Sequence, residues 1–402
     1  MINIGQRGTC YIDATAVQRT FTFKVATPAL ASLALAGNQI QITATCATVG
    51  ATMRYTTDGS DPTVSSTIYS APLTLNNTAA FKIRGFLTDY VDSDVAGRLV
   101  PPSFSIAGGT FFNDQSVTIT APSGASLKIL QSNRNYLDSS TWILGTQGNQ
   151  PGFAANGTTA AENQIETGLN PYGSSTTLWA AYNMDTFSGE PGQDGGWNST
   201  SFAVDRTKSY RFSVWIKKTG GASGSTYFGC GWDTVSSLTG SASETVNGNP
   251  YFWSGTLPLN EWHLLVGYIH PAGDTTTTHY GKVYKSDGTV AFNGTDFKWL
   301  NTTTTTQQRA YLYYSTDTNV RQYFWNPKVE EVSSYTGTPD VLFATPVSSP
   351  QTITVSGNSG NVIQAVSYSA TPSPLYSTIV SQTYLSQFTV SIGRPPTNAV
   401  IP

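Results

Sequence analysis

Holding a sugar takes flat aromatic faces for the apolar C–H surface of the ring, and amides or carboxylates for its hydroxyls. Every tryptophan of this chain falls in one span: Trp142, Trp179, Trp197, Trp215, Trp232, Trp253, Trp262, Trp299 and Trp325. Trp215, Trp262 and Trp325 lie in strand-like runs, where core packing accounts for them. The ligand candidates are those in polar stretches: Trp197 in DGGWNST, Trp232 in CGWDT, and Tyr251 and Trp253 in NGNPYFWSG. Asp194, Asn198 and Asp233 stand nearby as hydroxyl partners.

The same region is the one place that suggests a metal. EPGQDGGWN carries Glu190 and Asp194 in a glycine-rich stretch, with Asp185 just upstream. Calcium takes six to eight oxygen ligands from such loops; a solvated polar loop is the plainer reading. His263, His270 and His279 are spaced by seven and nine residues, which is no zinc pattern. Catalytic chemistry has little to draw on. Glycoside hydrolysis needs two carboxylates across one cleft. Glu330 and Glu331 are adjacent in a strand-like run, so their side chains leave opposite faces. There is no G-x-S-x-G, so no catalytic residue is assigned and the chain reads as non-enzymatic.

The elements that would position these residues are strands. No helical period persists, and short alternating runs are separated by turns rich in Gly, Asn and Asp. Residues 51 to 75, ATMRYTTDGSDPTVSSTIYSAPLTL, read as strand, tight turn and strand. Met53 and Tyr55 alternate with Arg54 and Thr56, and Asp58-Gly59 is a turn dipeptide. With FKIRGFLTDYVDSDV downstream, this stretch resembles the immunoglobulin-like modules at the C-termini of chitobiase and related bacterial glycosidases. Those modules are accessory, not catalytic.

The pattern recurs in pieces. Ile40 and Ile42 answer to Val117 and Ile119, and residues 50–55 (GATMRY) to residues 124–129 (GASLKI). The rest appears some two hundred residues later: Leu342-Phe343-Ala344-Thr345-Pro346 echoes Ile68-Tyr69-Ser70-Ala71-Pro72, Ile363, Ala365 and Ser367 follow the alternation of Phe81 and Ile83, and Tyr376-Ser377-Thr378-Ile379-Val380 parallels Val91-Asp92-Ser93-Asp94-Val95. The expected architecture is therefore all-β: two immunoglobulin-like sandwich modules with a jelly-roll β-sandwich inserted into the second, hairpin tips being tolerant sites of insertion. The expected limits are an N-terminal arm 1–27, a first module 28–100, a second module 101–130 and 335–392, the insert 131–334 and a tail 393–402. Residues 20–25 (TFTFKV) are either a first strand of the first module or a segment that docks on another subunit. The proline-bearing tail is either free or laid on a neighbour.

YRFSVWIKK (210–218), GYIHP (267–271) and RQYFWNPKVEEV (321–332) resemble the carbohydrate-binding jelly rolls attached to bacterial cellulases and xylanases, with Asn326-Pro327 replacing an Asp-bearing segment of the last strand. That resemblance implies glycan binding and a structural calcium. NPYGSSTTLWAAYNMD, DGGWN and LPLNEWHLLVGY are also similar to lectin-like modules in tail and fibre proteins of tailed phages.

Charged residues are 11% of the chain, less than half the usual quarter, and the net charge is −3 with no basic cluster. Nucleic acid and membrane partners are not expected. Cys10, Cys46 and Cys230 are odd in number and widely spaced, so disulfides are not expected to set the fold. The Ser-, Thr-, Asn- and Gly-rich composition suits an extracellular or virion surface, yet the first residues have no secretory-signal pattern. The expected function is thus a structural surface protein of a tailed-phage virion (capsid decoration, head fibre or tail-associated), present in many copies or as a homo-oligomer, contacting other virion proteins and cell-surface glycans. The alternatives are a secreted bacterial carbohydrate-binding accessory protein or adhesin, and a purely architectural virion protein without a ligand.

Overall fold

The computed structural model describes residues 9–12, 17–20, 22–35, 39–76, 80–111, 113–122, 124–184, 192–246, 248–355, 361–370, 374–377 and 379–386. The chain is all-β. Its helical content among these residues is three single turns of 3-10 helix, Ser139–Thr141, Ala160–Glu162 and Val341–Phe343.

Alternating apolar residues divide the first module between two sheets. One holds Ala29–Leu35, Gln39–Thr45 and Leu73–Leu75; the other holds Thr67–Ile68, Thr52–Thr56, Ala80–Phe86 and Ala96–Leu99. Ile40, Ile42, Leu75, Phe81 and Ile83 are buried between them. The turn forms as its residues dictate. Gly59 takes φ +85°, a conformation a side chain would strain, and Asp58 accepts from the Ser60 hydroxyl (2.6 Å) and amide (3.0 Å). Those two bonds hold the Asp58 carboxyl below its ordinary range.

Residues 22–25 form no regular strand; they lie against the first module itself. Lys24 bridges to Val91, Val25 is buried and Phe23 stacks near Tyr90 at 5.7 Å. Upstream, Thr9–Ile12 and Val17–Thr20 pair as a hairpin. The tail from residue 387 lies outside the described residues.

A second sandwich is assembled from both sides of a long intervening segment. Ser126–Asn133 pairs along its whole length with Asn361–Ser369, and Gln115–Thr120 pairs with Gln351–Val355. The two modules share a detailed register. Tyr55 pairs with Ile83 as Ile129 pairs with Ala365. In the first, the Gly85 amide donates to Ser93 Oγ (2.8 Å); in the second, the Ser367 amide donates to Ser377 Oγ (2.9 Å). Two echoes from the sequence need shifting. Ser377 occupies the place of Ser93, one residue beyond the expected match. Val347, not Phe343, occupies the place of Tyr69: its amide donates to Leu127 O, as Tyr69 donates to Met53 O. Pro350 is then the counterpart of Pro72. The physical reason is the 3-10 turn at Val341–Phe343, which takes up the residues that the echo assigned to a strand.

The intervening segment is a sandwich of its own. A five-stranded sheet runs Phe153–Ala155, Gln193–Ser199, Gln308–Tyr313, Ser225–Cys230, Tyr251–Gly255. The larger sheet is centred on Ser175–Tyr182, Arg321–Val332, Ser209–Thr219 and Trp262–His270. Trp142, Trp179, Trp197, Phe212, Phe228, Phe252 and Phe324 fill the space between them. Asn326, at the replaced position of the last strand, has φ +52° beside a bulge that shifts the pairing between Ser213 and Trp215.

The outer face of the larger sheet is also covered. Trp215, Trp262 and Tyr268 pack with Val341, Leu342 and Val366 of the second module. Asp340 fastens this contact: it caps the 3-10 turn through the Leu342 amide (3.0 Å) and accepts from Trp215 Nε1 (3.1 Å) and from the Tyr172 hydroxyl. One face of the insert is thereby committed to the second module, and the sheet face left free among the described residues belongs to the five-stranded sheet.

Candidate functional site

That free face is built by strand periodicity. In Gln308–Tyr313, Ala310 and Leu312 point into the core, so Arg309, Tyr311 and Tyr313 take the opposite face. Tyr227 stands opposite Tyr311 on the next strand, and Gly229 opposite Arg309. Tyr251 follows on the edge strand. The rings run in a continuous series: Tyr227–Tyr251 at 4.8 Å, Tyr227–Tyr313 at 5.5 Å, Tyr311–Tyr313 at 5.3 Å and Tyr313–Tyr314 at 5.6 Å.

Glycines keep the series uninterrupted. A Cβ on Gly229 would lie 2.4 Å from Pro250 O and 2.8 Å from the Tyr251 ring. Gly196, opposite Tyr311, has φ +111°, and a Cβ there would lie 2.1 Å from Ala310 O. Gly229 thereby leaves room for the Tyr251 ring, and Gly196 lets its strand close on the backbone of Ala310 and Tyr311.

Polar atoms edge the rings. Tyr311 donates to Asn198 Oδ1 (2.5 Å), which also accepts from Gln307 Nε2 (3.4 Å). Tyr313 donates to Asn156 Oδ1 (3.4 Å). Arg309 is fully buried; its Nε donates to Cys230 O (2.5 Å) and Nη1 to Asn249 Oδ1 (3.3 Å). Its guanidinium lies 4.8 Å from the Trp232 ring and 5.2 Å from that of Tyr251. Trp232 is 62% exposed, and its Nε1 donates to the same Asn249 oxygen. Burial pushes the Tyr251 hydroxyl up to about 12 and Tyr311 higher still, against the pull of Arg309. These hydroxyls are neutral at ordinary pH and able both to donate and to accept. The face combines stacking rings with neutral hydrogen-bonding edges, the two components that sugar recognition needs.

The structure sorts the sequence candidates. Trp232, Tyr251 and Asn198 belong to this face. Trp197 does not: it is fully buried, 4.6 Å from Phe324 and 5.4 Å from Trp179, and offers a ligand no face. Trp253 is half-buried with its ring on Phe292 at 5.5 Å, in the edge strand of the larger sheet. Asp233 is exposed beside Trp232, with φ +54°. Asp194 is buried and accepts from the Ser315 amide at 2.7 Å, so it does not face a ligand. Tyr227, Tyr311, Tyr313, Tyr314, Arg309 and Asn249 were not among the candidates; the alternation of Arg309, Tyr311 and Tyr313 with Ala310 and Leu312 was the available signal.

For calcium, Asp185 and Glu190 lie outside the described residues. Asp194 is engaged by protein groups, the Ser315 amide and the positive field of Lys218. Among the described residues no cluster of three or more His, Cys, Asp and Glu side chains could hold a metal. His279 and His270 do converge on Asp296, but its oxygens accept from the amides of Tyr268, Tyr280 and Gly281.

Lys218 carries a testable pH dependence. Its buried ammonium donates to the carbonyls of Gly224 (2.5 Å) and Ala222 (3.2 Å). Burial lowers its pKa from 10.5 to about 8, with Asp194 working the other way. Below pH 8 the group is charged in folded and unfolded chains alike, and the folded state bears the cost of the buried charge. Above pH 8 the folded state releases the proton first, so stability rises with pH. Above about 9 the buried thiol of Cys230 opposes this, its pKa being raised by burial. The melting temperature reported by tryptophan should therefore rise between pH 8 and 9, and Lys218→Met should flatten the rise, leaving the smaller part due to Lys128 and Lys217, whose pKa values burial also lowers. An unchanged slope in the variant would remove Lys218 as its source.

Residues 35–96 match the family model described as chitobiase/beta-hexosaminidase C-terminal domain. No curated protein matches the chain. Among solved structures, one described as "CBM4 structure and function" aligns at 12% identity over 47% of this chain and 94% of its own, with a TM-score of 0.25. The C-terminal family 22 carbohydrate binding module of Clostridium thermocellum Xyn10B aligns at 12% identity over 49% and 98%, with a TM-score of 0.24. A structure from work on the carbohydrate-binding modules of the beta-sandwich super family aligns at 10% identity over 75% and 98%, with a TM-score of 0.25.

Proposed function

We propose that this chain is a non-enzymatic glycan-binding protein whose binding face is the tyrosine floor of the five-stranded sheet. The observation that carries the reading is the unbroken series from Tyr251 through Tyr227 and Tyr313 to Tyr314, edged by amides and lying on a sheet face that, among the described residues, no other module covers. The two immunoglobulin-like modules serve as a stalk. We place the protein on the surface of a tailed-phage particle, as a decoration, head fibre or tail component. The low charge and the Ser-, Thr- and Asn-rich composition support that placement. Many copies on one particle turn weak single-site binding into firm attachment.

The second reading is a secreted bacterial accessory protein or adhesin. It is favoured by the match of residues 35–96 to a domain named for chitobiase and beta-hexosaminidase. Both readings use the same face and differ in what carries it. An architectural protein without a ligand is the outcome if no glycan binds.

Glycan-array binding by the full chain tests the face. Tyr251→Ala and Tyr227→Ala should each weaken binding by about tenfold, the loss expected of a stacking anchor. Trp253→Ala, whose ring lies on Phe292, should bind as the parent does. Equal loss in all three variants would point to a general folding defect, and loss only in Trp253→Ala would move the site. Copurification with washed virions separates the phage from the bacterial reading.

A further inference from the structure

The floor contains one charged group. Arg309 is fully buried, and among the described residues its Nη2 has no hydrogen-bond partner. No ion pair among the described residues includes it. Asp233, the carboxylate adjacent to Trp232 in the chain, is exposed and makes none with it. Among the described residues the positive charge is met by Cys230 O, Asn249 Oδ1, the Tyr311 hydroxyl and the faces of Trp232, Tyr251 and Tyr311. A buried cation without an anion is costly, and a donor left unpaired adds to the cost. Elsewhere in the chain the buried Arg211 has its carboxylate, Glu330, at 2.8 Å.

We infer that the floor selects a glycan bearing a carboxylate, of the uronic-acid class, and that Arg309 is the group that reads it. The inference rests on the floor being the glycan site. A guanidinium presents paired N–H donors in a plane that matches a carboxylate. The group covering it is the most exposed tryptophan of the face, held to Asn249 through its indole N–H. In this reading Trp232, the exposed ring over the guanidinium, turns aside to admit the carboxylate to Nη2, while the sugar ring stays on Tyr251 and Tyr227. Asn249, which accepts from both Arg309 and Trp232, couples the two positions.

The test uses the full chain and three probes in titration calorimetry: an oligogalacturonate, the same oligomer as its methyl ester, and a neutral xylo-oligosaccharide. The acid should bind about tenfold or more tighter than its ester, as a charge-assisted contact gives, and the margin should narrow as salt is raised. Arg309→Gln should bind acid and ester alike, and Arg309→Lys should recover only part of the difference. Tryptophan fluorescence establishes that the variants are folded; if they are not, the acid–ester and salt comparisons in the parent chain decide. Equal binding of acid and ester overturns the inference and leaves the floor as a neutral-glycan site. A preference for the acid that persists in folded Arg309→Gln overturns it as well. No binding of any probe, with none on the array, overturns the floor reading and this inference together.

Discussion

Trp197→Ala should unfold the inserted sandwich at markedly lower denaturant than the parent chain, with a loss of about 3–5 kcal/mol, the range for deleting a fully buried large aromatic. The residue is 0% exposed and meets Trp142, Trp179, Phe153 and Phe324 at ring distances between 4.6 and 5.8 Å. Alanine there leaves a cavity that four rings, each pinned by others, cannot collapse to fill. The measurement is selective by nature. All nine tryptophans lie between Trp142 and Trp325, so their fluorescence follows this sandwich and its joint with the second module, and no tryptophan lies in the first module. Trp197→Phe should cost far less: it keeps most of the ring volume and removes an indole N–H that has no partner among the described residues. Were Trp197→Ala as stable as the parent and deficient only in glycan binding, the residue would have to face a ligand, against its burial.

That prediction marks where the sequence misled. DGGWNST looks like a polar loop because two glycines precede the tryptophan. In the fold it is a strand, and the glycines are required by close backbone approach. Gly195 and Gly196 have φ of +108° and +111°, at a bulge where a Cβ on Gly196 would run into Ala310 O. Composition cannot separate a glycine that loosens a loop from one that lets two strands touch. The all-β class and the split second module were legible, because alternation and repeat survive any loop. The register of the repeat was less so. A Pro follows two residues after a strand-like pair at both Pro346 and Pro350, and only backbone pairing at Leu127 shows that the second is the counterpart of Pro72. The tyrosine floor was readable in principle from Arg309, Tyr311 and Tyr313 at every second position. It was overlooked because tyrosine, unlike tryptophan, is common in strands of every kind.

The floor can act as a fixed surface only if the sandwich carrying it is held to the second module, and the second large effect concerns that joint. Replacing Arg211 by methionine should destabilise the chain by about 3–5 kcal/mol, while the double change Arg211→Met with Glu330→Met should recover most of the loss. Both side chains are at most 5% exposed and meet at 2.8 Å. Arg211 also donates to Thr338 O (3.0 Å), in the segment leaving the insert, and Lys328, two residues before Glu330, donates to Gln364 Oε1 of the second module (2.9 Å). Removing Arg211 alone strands a buried carboxylate; removing both partners strands neither. The same pair sets a pH dependence. Burial by itself would raise the Glu330 carboxyl, but Arg211 and Lys328 prevail and hold it below its ordinary value of 4.5. A carboxyl with a lowered folded-state pKa gives stability that is complete above the unfolded value and is lost as pH falls through the folded one. The parent chain should therefore lose stability below about pH 4.5, and the double variant should lose less over the same range. Calorimetry that showed the double variant as unstable as Arg211→Met, with the same acid slope as the parent, would mean that the joint depends on packing rather than on this pair.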